Sequence, residues 1–176
     1  MLDEAFPNCA CEEVALRAGG GEAVNDNEQI ARILTTPDGF DLSANELITS
    51  KLTSVYGCGF SVIRSGASDA EIRLTIDKLV NKQSEKQELV GAALVKADVI
   101  RSMHDGIRWF GVYATDDDGK EHHADLLGTR PKAESKSQIK KQQNERRYRL
   151  RDVLGASIIR AADVDELISL LRQAGI

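Results

Sequence analysis

The chain contains 176 residues, of which 41% are hydrophobic and 29% charged, and its formal net charge at pH 7 is −5. This length and composition are typical of one globular domain that buries its core without disulfides. No apolar run approaches the roughly 18 residues of a membrane helix, and no basic segment followed by an apolar one opens the chain. The sequence therefore argues against secretion and against a membrane span.

The cysteine content also argues against a secreted protein. Cys9, Cys11 and Cys58 form an odd and sparse set, which does not fit a secreted disulfide framework. We therefore expect reduced thiols and a cytoplasmic location. Cys9 and Cys11 lack the matching downstream pair of a zinc site, so no metal site is predicted. Cys58 lies between two glycines and is expected to be a small buried residue.

The first 27 residues are predicted to form a flexible N-terminal arm (1–27), because they are small and polar and include three consecutive glycines. Residues 28–176 are predicted to form a single domain. Its first helix is expected over 28–35, where three apolar residues have helical spacing. A second helix is expected from Ser43, with Glu46 completing a capping box, to Gly57.

The middle of the chain is predicted to alternate strands and helices. A strand is expected at 60–64, followed by a helix that begins with a second capping box, Ser68 and Glu71. The nearly continuous apolar run at 89–95 indicates a buried strand.

The clearest strand signal lies in two segments, 107–115 and 120–126. Both contain residues typical of strands, so they predict a β-hairpin. The intervening Asp-Asp-Asp-Gly at 116–119 fits a tight turn. An EF-hand calcium loop would instead need spaced oxygen ligands between two helices.

The C-terminal third is predicted to be mainly helical. Strong helix formers predict a basic helix over 132–154, then a short strand at 157–160 and a terminal amphipathic helix capped by Asp163. Together the elements predict an α+β fold, with a mixed or antiparallel sheet of about four or five strands and flanking helices in a single domain.

Charge is strongly segregated along the chain. The segment from Arg130 to Arg151 holds nine basic and two acidic residues, whereas the rest holds 14 basic and 26 acidic residues. On a helix, four of these cations fall near one face and Tyr148 lies beside them. The predicted binding residues are Lys136, Lys140, Arg147, Tyr148 and Arg151.

This charge pattern favours a non-enzymatic binding or regulatory module that engages a macromolecular partner through the basic helix. The expected partner is a protein or a second copy of the chain. Nucleic acid also fits, because lysine and arginine neutralise phosphates and Tyr148 can stack on a base, although the acidic remainder of the chain weighs against it. The simplest alternative is a solvated helix, or one that docks on the protein's own acidic surface.

A second hypothesis starts from the sequence Glu121-His122-His123-Ala124-Asp125. Alternate residues of a strand share a face, so His123 lies with Asp125. The hypothesis is a small enzyme acting on a phosphorylated or nucleotide-like substrate, with His123 as general base, Asp125 orienting it and Arg64 or Arg108 holding the anion. A solvated surface histidine is the alternative. No phosphate loop or dinucleotide fingerprint occurs, so no cofactor is predicted.

Overall fold

A computed structural model describes residues 22–81, 87–115 and 120–176. Within them the strands are β1 (Gln29–Thr36), β2 (Phe40–Asp41), β3 (Glu46–Leu47), β4 (Phe60–Arg64), β5 (Glu88–Lys96), β6 (Phe110–Ala114), β7 (His123–Gly128) and β8 (Ile158–Arg160). The helices are α1 (Asp69–Asn81), α2 (Ala97–Arg101), α3 (Lys136–Gly155) and α4 (Val164–Gln173), with a 3₁₀ helix at Thr49–Tyr56.

Six of the strands form one sheet in the order β6-β7-β4-β1-β5-β8, and every neighbouring pair is antiparallel. Strands β2 and β3 pair separately. The α+β class with an antiparallel sheet is therefore confirmed.

Helices cover both faces of the sheet, and β1 shows how the two layers divide. Ile30 and Leu34 belong to the core beneath the 3₁₀ helix, α2 and α3. Ala31 and Ile33 belong to the core beneath α1 and α4. Because alternate strand residues point to opposite faces, a central strand between two helical layers needs apolar residues at nearly every position.

The predicted helix over 28–35 is wrong, because this segment is the central strand β1. It pairs with β5 along its whole length, from Gln29 opposite Lys96 to Thr36 opposite Glu88. A strand buried on both faces has no alternation of apolar and polar residues, so over eight residues its pattern resembles that of a buried helix.

The helix predicted from Ser43 to Gly57 is wrong in its first half, whereas Thr49–Tyr56 is helical, as a 3₁₀ helix that ends at Gly57. Asp41 accepts hydrogen bonds from the backbone N–H groups of Ser43 at 2.8 Å and Ala44 at 3.0 Å. These bonds form a turn between β2 and β3, so Ser43 does not cap a helix. The 3₁₀ helix follows this turn. Cys58, expected to be buried, is exposed.

Several predicted elements are confirmed. They are the strand at 60–64, the helix after Ser68, the buried strand at 89–95, the hairpin strands β6 and β7, and the terminal helix capped by Asp163. The capping box at Ser68 is present, since Ser68 and Glu71 each accept the other's backbone N–H.

Some sequence predictions fall outside the described residues. They concern the turn at 116–119, the cysteines at positions 9 and 11, and the arm up to residue 21. Residues 22–27 are described, and they are held against α2. Arg101 donates to the carboxylate of Asp26 at 2.6 Å and to the carbonyl of Val24 at 2.9 Å.

The contact between β5 and β8 predicts a sensitive position at Gly91, whose φ is +148°. A Cβ here would collide with the carbonyl oxygen of Ile159 and lie 2.9 Å from the Cα of Arg160. We expect Gly91→Ala to lower the free energy of unfolding by about 2 kcal/mol or more, measured by urea denaturation.

Gly155→Ala is the matched control. Gly155 ends α3, and its nearest neighbour to an added Cβ is a methyl group of Leu47 at 3.9 Å. Alanine has a higher helix propensity than glycine, so this variant should be as stable as the wild type or more stable by up to about 1 kcal/mol. Equal losses of stability in the two variants would contradict the close contact between β5 and β8 at Gly91.

Candidate functional site

The hairpin brings the predicted histidine and carboxylate together. His123 and Asp125 lie on the same face of β7, and both are only 6% exposed. Thr115, the residue after β6, lies between them because its backbone N–H bonds to the carbonyl of His123. Ser61 of β4 is directly opposite Asp125.

These four side chains form one hydrogen-bonded network. The Thr115 hydroxyl donates to Asp125 Oδ2 at 3.1 Å and lies 2.7 Å from Nδ1 of His123. The Ser61 hydroxyl donates to Asp125 Oδ1 at 3.2 Å. Thr115 therefore links the imidazole of His123 to the carboxylate of Asp125.

Arg64, the third residue of the predicted catalytic group, is bonded elsewhere. Its Nε and Nη2 donate to the carboxylate of Glu28 at 2.8 and 3.1 Å, and its Nη1 donates to the carbonyl of Glu22 at 2.6 Å. Both side chains of the ion pair are less than a tenth exposed. Arg64 therefore fastens the chain before β1 to the sheet.

A different arginine, Arg32 of β1, lies close to this network. Its Nη1 donates to the carbonyl of Ser61 at 2.8 Å, and its guanidinium carbon lies 4.3 Å from the centre of the Phe60 ring. Burial lowers the pKa of Arg32 to about 10, although the nearby carboxylates of Asp125 and Asp38 oppose this shift. Sequence reasoning missed Arg32 because it placed this residue in a helix.

The two halves of the basic helix α3 differ in how far their side chains are buried. Its buried residues, Arg146, Leu150 and Leu154, all lie in the second half of α3. Arg146 anchors that half, since it donates to the carbonyl of Thr129 at 3.3 Å and its guanidinium lies 5.4 Å from the centre of the Trp109 ring. Half of the helix is thus docked, and the half from Lys136 to Glu145 contributes no buried side chain.

The arginines of α3 also shape the environment of Tyr56, at the end of the 3₁₀ helix. Burial raises the pKa of the Tyr56 phenol to about 12, while the neighbouring charges of Arg146 and Arg147 act in the opposite direction. The phenol therefore stays protonated at neutral pH. Together with the anchor at Arg146, the effect of these two charges on Tyr56 shows that part of the basic charge of α3 faces the protein's interior.

The five predicted binding residues have different surroundings. Arg147 bonds to Asn144, and Arg151 bonds to Glu46 at 3.1 Å and Asp152 at 3.0 Å. Tyr148 is 51% exposed, with the guanidinium of Arg151 5.3 Å from its ring centre. Lys136 and Lys140 are exposed.

Four cations of α3 have no hydrogen bond or ion pair with any part of the chain that the structure describes. They are Lys136, Lys140, Lys141 and Arg149, and all four are exposed. We call these four residues, with Tyr148, the basic ridge. Lys141 and Arg149 were not among the predicted binding residues, because the sequence does not show which cations are bonded within the protein.

His122 lies on the other side of the hairpin end, away from the network. Its backbone N–H donates to Glu71 at 3.1 Å, and its Nδ1 lies 3.4 Å from the same carboxylate. Partial burial of Glu71 acts to raise its pKa, but hydrogen bonds from Ser68 and His122 outweigh it and lower the pKa to about 2. Glu71 thus joins the start of α1 to the start of β7.

Among residues 22–81, 87–115 and 120–176, no three histidine, cysteine or carboxylate side chains gather in a way that could hold a metal ion. No described helix is both long and apolar enough to cross a membrane. Comparisons with protein-family models, curated proteins and solved structures found no match to this chain. Function is therefore inferred from the geometry of the chain's own residues.

The network predicts that Thr115→Val is destabilising. Valine has a similar shape but lacks the hydroxyl, so the buried Asp125 loses a donor and Nδ1 of His123 loses its hydrogen-bond partner. The expected loss is about 1–3 kcal/mol in the free energy of unfolding. Thr53→Val is the control, since the exposed Thr53 hydroxyl donates only to the carbonyl of Ser50. A Thr115 variant as stable as this control would contradict the network.

The low pKa of Glu71 predicts a dependence of stability on pH. A carboxylate whose pKa is lowered by folding stabilises the protein above its unfolded pKa of about 4.5, and this contribution disappears as the pH falls towards about 2. The wild type should therefore lose stability more steeply than Glu71→Gln between these pH values. Parallel curves of stability against pH for the two proteins, measured by urea denaturation at each pH, would contradict the lowered pKa of Glu71.

Proposed function

We propose that this protein binds the acidic surface of a protein partner through the basic ridge of α3. The observation that carries the proposal is that the four cations of the ridge are exposed and lack partners in the described chain. The other arginines of α3 contact Asp105, Asn144, Glu46 and Asp152 within the protein. The ridge therefore retains charge that folding does not use.

The shape of α3 supports this proposal. The helix begins with a capping box in which Ser135 and Gln138 each accept the other's backbone N–H, at 3.3 and 3.1 Å. Such a box stabilises a helix end without an apolar face. The exposed half from Lys136 to Glu145 extends about 15 Å. A partner would meet a preformed helix and would not have to order a loose segment.

The distribution of charge favours an acidic protein over a nucleic acid. Outside the segment from Arg130 to Arg151 the chain holds 26 acidic and 14 basic residues, which repel a long polyanion that extends beyond the ridge. Tyr148 is the aromatic residue of the ridge, whereas single-stranded nucleic acids are held by several stacking side chains. An exposed tyrosine beside arginine is instead typical of the central contacts of protein interfaces.

Charge reversal on the ridge tests the proposal. We expect Lys136→Glu/Lys140→Glu/Lys141→Glu to bind a polyglutamate peptide at least about tenfold more weakly than the wild type, because each reversal replaces an attraction with a repulsion. The melting temperature should not fall, since these lysines have no described partner. Binding is measured by fluorescence anisotropy of the labelled peptide.

A matched pair of single variants controls for net charge. Lys140→Glu lies on the ridge, and Lys96→Glu reverses an exposed lysine at the end of β5. The first should weaken peptide binding and the second should not; equal effects would overturn the ridge as the binding surface. A labelled oligonucleotide that binds more tightly than the peptide, with log K falling linearly with log salt, would overturn the choice of a protein partner.

A further inference from the structure

A cleft opens where α3 meets the segment that precedes β6. Trp109 of that segment and Tyr148 of α3 both line it, so we call it the aromatic cleft. Its volume is about 390 Å³, which lies within the roughly 300–1,000 Å³ of pockets that hold small ligands. One large side chain of a partner therefore fits in it.

One face of α3 forms a wall of the aromatic cleft. Gln142, Glu145, Arg146 and Arg149 line the cleft, and their intervals of three and four residues place them on the same side of the helix. Arg146 is the buried member of this group, whereas Gln142 is partly exposed and Arg149 is exposed. The wall thus combines a fixed arginine with side chains that a partner can contact.

Trp109 is held in place by its backbone and by its ring. Its N–H donates to the carbonyl of Met103 at 2.8 Å, and its carbonyl accepts from the N–H of Thr129 at 2.9 Å. The indole packs against the core and against the guanidinium of Arg146, yet it remains partly exposed. The aromatic cleft is therefore preformed, which lowers the entropy cost of filling it.

The charges that line the aromatic cleft cancel. Arg146 lies 3.6 Å from the carboxylate of Asp105. Glu145 and Arg149 have opposite charges, and neither forms an ion pair with the part of the chain that the structure describes. The cleft therefore suits an uncharged aromatic side chain better than a carboxylate.

The aromatic cleft and the basic ridge form one continuous surface, because Tyr148 and Arg149 belong to both. Along the helix, Arg149 lies about 14 Å from Lys140, a distance that an extended peptide spans with about four residues. A segment with one residue in the cleft therefore places its neighbours against the lysines of the ridge. Those lysines favour acidic neighbours.

We infer that the partner segment is an acidic stretch that contains an aromatic residue, and that this residue occupies the aromatic cleft. The inference rests on the proposed binding of an acidic surface by the ridge, and it adds the side chain that gives the binding its specificity. Aromatic rings pack favourably against other aromatic rings and against guanidinium groups. Tryptophan, tyrosine and arginine are also the residues that contribute most binding energy at protein interfaces.

Two labelled peptides test the inference by fluorescence anisotropy. One carries five glutamates on each side of a phenylalanine, and the other carries alanine in place of the phenylalanine. We expect the phenylalanine peptide to bind about tenfold more tightly, because its ring is removed from water in the cleft. Equal affinities would overturn the inference and leave the proposed function standing, whereas no binding of either peptide would overturn both.

Two variants locate the aromatic residue. Tyr148→Ser removes one aromatic wall without changing the charge, and Gln142→Trp fills the cleft from α3. Each should reduce the difference between the two peptides to less than about threefold and leave the affinity of the alanine peptide unchanged. Lys140→Glu should instead weaken both peptides by the same factor, because it acts on the glutamates that they share.

Leu74→Ser is the control, because Leu74 is an exposed apolar residue of α1, which covers the opposite face of the sheet. This variant should retain the full preference for the phenylalanine peptide. All the substituted side chains are at least partly exposed, so the melting temperatures should match that of the wild type. A full preference that persists in Tyr148→Ser and Gln142→Trp would place the phenylalanine elsewhere and overturn the inference.

Discussion

The fold depends on how β1 is held between its two neighbours. It is paired throughout with β5 and buried on both faces, which joins the two helical layers through one strand. It is paired with β4 at only two positions before the strands separate. The sheet is therefore continuous at one end of β1 and open at the other, and Arg32 lies where the opening starts. A ladder of hydrogen bonds lost at this point leaves backbone groups that a long polar side chain can satisfy, as Arg32 does for the carbonyl of Ser61.

The arginines show three different uses of the same side chain. Arg64 forms a buried pair with Glu28, so its charge is neutralised within the protein. Arg146 is buried against Trp109 and Thr129, where it fixes the docked half of α3. Arg149 is exposed and has no partner in the described chain. Some cations of a basic segment are therefore bonded within the protein, and others are available to a partner. The net charge of the segment overstates the charge that a partner can contact.

The parts of the fold that the sequence predicted correctly depend on local signals. The capping box at Ser68 and the cap at Asp163 are each encoded within four residues, and both helices begin there. The same local pattern misled at Ser43, because Asp41 two residues earlier offers the backbone a competing turn. Strand β1 was missed for a different reason: helices that are distant in the sequence bury both of its faces, which removes the alternation of apolar and polar residues that identifies a strand.

The candidate sites were predictable to the extent that they follow from alternation along one strand. His123 and Asp125 share a face of β7 because they are two residues apart. Thr115 was not predictable as their link, because its position depends on the register of the β6–β7 hairpin. The surroundings of Arg32 could not be predicted either, because they depend on the divergence of β1 and β4 and on the position of β7 beside β4. The number of long-range relationships that a residue needs thus determines whether its role can be inferred from sequence. The cations of the ridge are recognisable from the sequence alone. Only the packing of α3 shows which of its cations are exposed and which are bonded within the protein.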